Sequence, residues 1–113
     1  MTPLVRGRLP SAGDPPQFGE RSEEIARVDG TVIEHIVSGE LAEPVDYDQA
    51  HDEWVVVLEG AAVLEVHGER LDLGPGEWIL LPAHLQHRLV QTLAGTRWLA
   101  LHGVDRGSPS SRS

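Results

Sequence analysis

From Thr31 onward the chain is a series of short apolar runs, each closed by glycine or proline. Residues 31–37 end at Ser38-Gly39, 54–58 at Glu59-Gly60, 61–66 at His67-Gly68, 69–73 at Gly74-Pro75-Gly76, and 77–81 at Pro82. Residues 87–92 and 97–102 complete the series. The runs have strand length and are rich in β-branched residues, and the glycines supply the positive φ that tight connections require. Such strands without helical stretches between them predict an all-β antiparallel sandwich or barrel and argue against a βαβ fold.

Alternation assigns the faces. Glu53, Val55 and Val57 share one side of their run, and Trp54, Val56 and Leu58 the other. Both sides are apolar beyond Glu53, so one can fill an interior while the other needs cover from the arm, a neighbouring sheet or a second subunit. Trp98, Ala100 and His102 share one face of the last run, opposite Leu99 and Leu101. The first 19 residues carry Pro10, Gly13, Pro15, Pro16 and Gly19 and are expected to form a flexible arm (1–19). Residues 107–113 are expected to be a disordered polar tail, which leaves 20–106 as the folded domain. Ile25 and Val28, three apart, suggest a helix over residues 21–27.

A chain of 113 residues makes one domain. Eighteen acidic residues against nine arginines and no lysine give a formal charge of -9, which argues against nucleic acid and anionic membranes as partners. No run is long enough to span a bilayer, and the start lacks the apolar core of a signal peptide, so a soluble cytoplasmic domain is expected. The absence of cysteine excludes disulfides, thiol nucleophiles and thiolate metal sites. Any metal must use His, Asp, Glu or Gln.

Three polar groups stand beside apolar sequence: Glu53, His87 and His102. A carboxylate or imidazole turned into a small barrel is costly unless it is paired, hydrogen-bonded or metal-bound. In the run from Tyr47 to Glu53, the residues Tyr47, Gln49, His51 and Glu53 fall on one side if the backbone is extended. Gln49, Glu53 and His87 would supply an amide oxygen, a carboxylate and an imidazole, a mixed set suited to zinc, iron, nickel or manganese. His51 divides between surface loop and ligand. His84, after Pro82-Ala83, is a candidate for the pocket mouth, and His102 for the pocket or a hydrogen bond in the core. His67 reads as a solvated turn residue and His35 as structural or surface. Trp54, Trp78 and Trp98 read as core or interface, and the acidic stretch 40–52 as a solvated loop.

Taken together, these residues resemble a cupin. Glu53 and Gly60 keep the closing spacing of the first cupin motif, and Gly76, Pro82 and His87 match the second. The two histidines of the first motif would fall at Tyr47 and Gln49. His84 stands in place of a glycine and Gln91 in place of an asparagine. The Tyr47-Asp48-Gln49, Glu53-Trp54 and Trp98-Leu99-Ala100-Leu101-His102 segments are similar to those of a subgroup of small single-domain cupins. The resemblance covers residues 31–102. It implies a jelly-roll barrel whose pocket binds a divalent metal (Zn, Fe, Ni or Mn) through Gln49, His51, Glu53 and His87, beside a small molecule. Tyr47, His84, Trp98 and His102 would line that pocket. It also implies a homodimer. The alternatives are a metal-free binding or sensing module, a metal-dependent oxygenase or isomerase, and a structural protein with a satisfied polar core.

Overall fold

The computed structural model describes residues 2–106, so the expected tail at 107–113 lies outside the described residues. Nine strands follow one another: β1 (Glu20–Val28), β2 (Thr31–Ser38), β3 (Val45–Tyr47), β4 (Glu53–Glu59), β5 (Ala62–Val66), β6 (Glu69–Leu73), β7 (Trp78–Leu81), β8 (His87–Thr92) and β9 (Thr96–His102). They form a five-stranded sheet in the order β1-β2-β9-β4-β7 and a four-stranded sheet in the order β3-β8-β5-β6, with every strand pair antiparallel. The fold is the expected all-β sandwich, and no described residue is helical. Among the described residues no helix is therefore long and apolar enough to cross a membrane.

Alternation along each strand builds the core. Ile36, Val55, Val57, Trp98 and Ala100 come from the larger sheet, and Ala62, Leu64, Val66, Leu73 and Leu89 from the smaller one. Trp98 gives its indole N–H to Ser38 Oγ at 2.9 Å, so the largest core side chain leaves no polar atom unpaired. The end of β4 is fixed by a close approach. Gly60 has φ +91°, and a Cβ there would lie 2.4 Å from Thr96 Oγ1.

The helix expected over residues 21–27 is instead part of β1. That strand pairs with β2 from Glu20↔Ser38 to Val28↔Thr31, with a bulge between Glu24 and Ala26. The three-residue spacing of Ile25 and Val28 comes from this bulge and not from a helical turn. β1 is an edge strand and mostly exposed, so its sequence lacks the apolar alternation that marks the others.

The outer face of the larger sheet has two parts. Near β1 and β2 the arm is tied down: Arg97 donates to Pro10 O at 2.8 Å, and Arg21 donates to the carbonyls of Ala12 and Asp14. His35 and Val37, on this outer face, are each 2% exposed. Arg97 Nε also donates to His35 Nε2 at 3.2 Å. Burial and then the neighbouring Arg97 charge push the His35 imidazole below its ordinary value. Further along the same face, Trp54 and Trp78 meet with ring centroids 5.9 Å apart. Trp78 is 61% exposed and Leu80 54%.

Candidate functional site

A cavity of about 160 Å³ opens between the two sheets. Its position follows from strand parity. Glu34 shares the inner face of β2 with Ile36, Glu53 shares that of β4 with Val55, and His102 shares that of β9 with Trp98. Glu20, paired with Ser38 at the start of β1, reaches the same space. Tyr47 and His87 arrive from the smaller sheet as direct cross-strand partners, and their rings stack at 5.3 Å and 13°. Gln49 enters from the loop after β3. Val55, Leu64, Leu81 and Leu89 add apolar wall.

His87 is only 7% exposed. Its Nδ1 lies 3.0 Å from Leu85 O, and a carbonyl can only accept, so Nδ1 carries a proton, and in the neutral ring Nε2 is the acceptor. Among the described residues no group partners that Nε2. Every fully buried side-chain nitrogen and oxygen among the described residues has a partner, so Nε2 is not sealed in protein, and His87 lines both this cavity and an outer groove beside it. His102 is differently placed. Its Nε2 lies 3.2 Å from Glu34 Oε1 and 3.9 Å from Glu53 Oε2, and its Nδ1 lies 3.0 Å from His51 Nε2. His51 Nδ1 in turn faces Asp105 at 3.4 Å. Carboxylate, two imidazoles and a surface carboxylate thus form one chain of contacts from cavity to surface.

Six of the eight residues singled out in the sequence meet at this cavity: Tyr47, Gln49, Glu53, His87, Trp98 and His102. His51 does not line it. The expected same-side run breaks there because residues 48–52 leave the extended conformation. Gly103 N bonds to Asp52 O and Arg106 N to Ala50 O, which turns the loop toward the end of β9. His84 lies instead in an outer groove of about 730 Å³, which shares Tyr47 and His87 with the cavity. Its backbone N–H donates to Gln49 O at 2.7 Å, and its ring faces Asp48 at 3.7 Å. Glu20 and Glu34 were not anticipated. Parity along β2 puts Glu34 beside Ile36 and so held the signal for it. Glu20 had none, since its neighbours gave no strand pattern.

The cavity is anionic. Glu20, Glu34 and Glu53 line it, and no arginine does. Burial, then Glu34 and Glu53, hold the Glu20 carboxyl above its ordinary range. Burial, then Glu20 and Glu53, push the Tyr47 phenol up to about 12, so it keeps its proton. These donors do not fit a metal ion as arranged. Among the described residues no three His, Asp or Glu side chains are disposed to hold one. His102 is held by Glu34 and His51, and His51 lies outside the cavity. Glu53, His87 and the Gln49 amide are what is left of the expected ligand set.

A family model described as a cupin domain matches residues 32–101. Among solved structures, a candidate mannose-6-phosphate isomerase from Ralstonia eutropha JMP134 is 34% identical, with 86% of this chain and 98% of that one covered and a TM-score of 0.71. A cupin superfamily protein from Desulfitobacterium hafniense DCB-2 is 23% identical over 90% of this chain and 95% of that one, with a TM-score of 0.69. KdgF from a Halomonas species is 22% identical over 74% and 79%, with a TM-score of 0.67. No curated protein matches the chain.

Proposed function

The chain belongs to the cupin domain family, and on that premise we propose that it is a cytoplasmic, metal-free module that binds a small molecule in the cavity between its sheets. The observation that carries this is His87: a residue only 7% exposed, held at Nδ1 by Leu85 O, that lines the cavity with its Nε2 unpartnered among the described residues. A few oriented polar groups over an apolar wall is the usual make-up of a ligand site. The sugar phosphate named for the Ralstonia relative is not carried over. A phosphate calls for cationic or N–H donors, and the described lining is rich in carboxylates without an arginine.

The test is a fragment screen followed through the methyl signals of Val55, Leu64, Leu81 and Leu89. Fragments that fill the cavity should move these signals in the wild type and not in Leu64→Phe. The absence of any such fragment at millimolar concentration would overturn the proposal. Equilibrium dialysis against Zn²⁺ and Mn²⁺ addresses the metal directly. One equivalent bound tightly and lost in His87→Ala would replace this reading with a metal centre on Gln49, Glu53 and His87. We further propose that two copies pair through the open part of the outer face around Trp54, Trp78 and Leu80, since contiguous exposed apolar surface marks contact sites.

A further inference from the structure

We infer that the ligand of this cavity is a small organic cation: an ammonium group on a short apolar body. The inference rests on the small-molecule reading above and names its ligand class. The cavity offers more unpartnered acceptors than donors, its donors being the Tyr47 phenol and the Gln49 amide N–H groups. His87 Nε2 presents a lone pair. His102 touches only one oxygen of Glu34 and one of Glu53, which leaves Glu34 Oε2 and Glu53 Oε1 for a ligand. Glu20 adds a third carboxyl at the start of β1. Against three carboxyl groups, His102 is the one basic side chain with a place in the Glu34–Glu53 cluster.

An anion entering this space would meet repulsion, and a neutral ligand would leave the carboxylates unrelieved. A protonated amine donates to Glu34, Glu53 and neutral His87 and offsets the repulsion among the three carboxyl groups. The rest of the lining suits its carbon chain. Trp98 has its N–H taken by Ser38 and offers the cavity carbon surface, and Tyr47 and His87 add stacked rings able to face a cation. The acceptors do not converge on a point, as a bare metal ion would require. They are distributed around a space of about 160 Å³. That equals about five waters at ~30 Å³ each, and hence about five non-hydrogen atoms. n-Butylammonium has that size.

The test is an NMR titration of the wild type, Glu53→Gln and Glu20→Gln with n-butylammonium, 1-butanol and butyrate, read on the Trp98 indole and the Leu64 and Val55 methyls. The ammonium should bind at least about tenfold more tightly than butanol, with butyrate weakest. Glu53→Gln should lower ammonium affinity about tenfold and leave butanol unchanged, and Glu20→Gln should lower it less, by about threefold. If Glu53→Gln does not fold, Glu20→Gln carries the comparison. Butanol or butyrate binding as well as the ammonium would overturn the cation inference and leave the small-molecule reading standing. No response to any of the three at about 50 mM would overturn both, since even weak fragments bind in that range.

Discussion

Replacing Gly60 by alanine should be much more damaging than replacing Gly76, although both have positive φ. Gly60 has φ +91° and Gly76 φ +83°, so each substitution forces a side chain into a left-handed backbone at a cost of roughly 1–2 kcal/mol. Their surroundings differ. At Gly76 an added Cβ meets nothing within 4 Å. At Gly60 it would lie 2.4 Å from Thr96 Oγ1 and 2.7 Å from Thr96 Cα. Thr96 cannot turn away. It is 0% exposed, and its hydroxyl sits 3.2 Å from Ala61 N, 3.1 Å from Ala61 O and 2.6 Å from Leu93 O. Such overpacking adds about 1–3 kcal/mol. Gly76→Ala should therefore lose about 1–2 kcal/mol and Gly60→Ala about 3–4, a gap near 2 that isolates the clash. Urea unfolding of both variants with wild-type m-values measures it. Equal losses within about 0.5 kcal/mol would refute the reasoning, because only the backbone cost would then be at work.

Three further outcomes can be checked. The His35 value lies below its ordinary 6.5, so on acidification the unfolded chain takes the proton first. The stability His35 contributes is whole above pH 6.5 and is lost as pH falls through the folded value. The urea midpoint should drop between about pH 7.5 and 5.5, and His35→Gln should flatten that drop. Tyr47 is the single tyrosine, so the ultraviolet absorbance of its phenolate can be followed alone. Its raised value means the stability it contributes is whole below pH 10 and is lost as pH rises through about 12. A phenolate midpoint at 10 in the folded protein would contradict the half-buried placement of Tyr47 near Glu20 and Glu53. Light scattering should report a dimer for the wild type and a monomer for Trp78→Glu. A wild-type species of 12.3 kDa would refute pairing through that face.

The strands that bury one face were legible in the sequence because burial writes a period of two. β4, β5, β8 and β9 fall close to where glycine punctuation and alternation put them. β1 was not legible, because an edge strand with few buried side chains carries no such period, and its bulge mimicked helical spacing. β3, three residues long, is too short for any pattern. Within the site, Glu53 and His87 stood out as polar residues opening apolar strands. His51 was misplaced on the cavity side because parity holds only while the backbone stays extended. The bonds from Gly103 and Arg106 that turn the 50–52 loop come from more than 50 positions away. Glu34 was not singled out, although its parity with Ile36 on β2 carried the signal for an inward-facing carboxylate.

β2 carries two unrelated tasks on adjacent residues. Glu34 points into the cavity, while His35 points outward to the face where Arg97 ties down the arm. Inserting or deleting one residue inside this strand would exchange them, setting an imidazole among the cavity carboxylates and a carboxylate against Arg97. A change of length is therefore tolerated better in the connections than within β2. The cavity and the anchorage of the arm, which share no side chain, thus depend on one strand register.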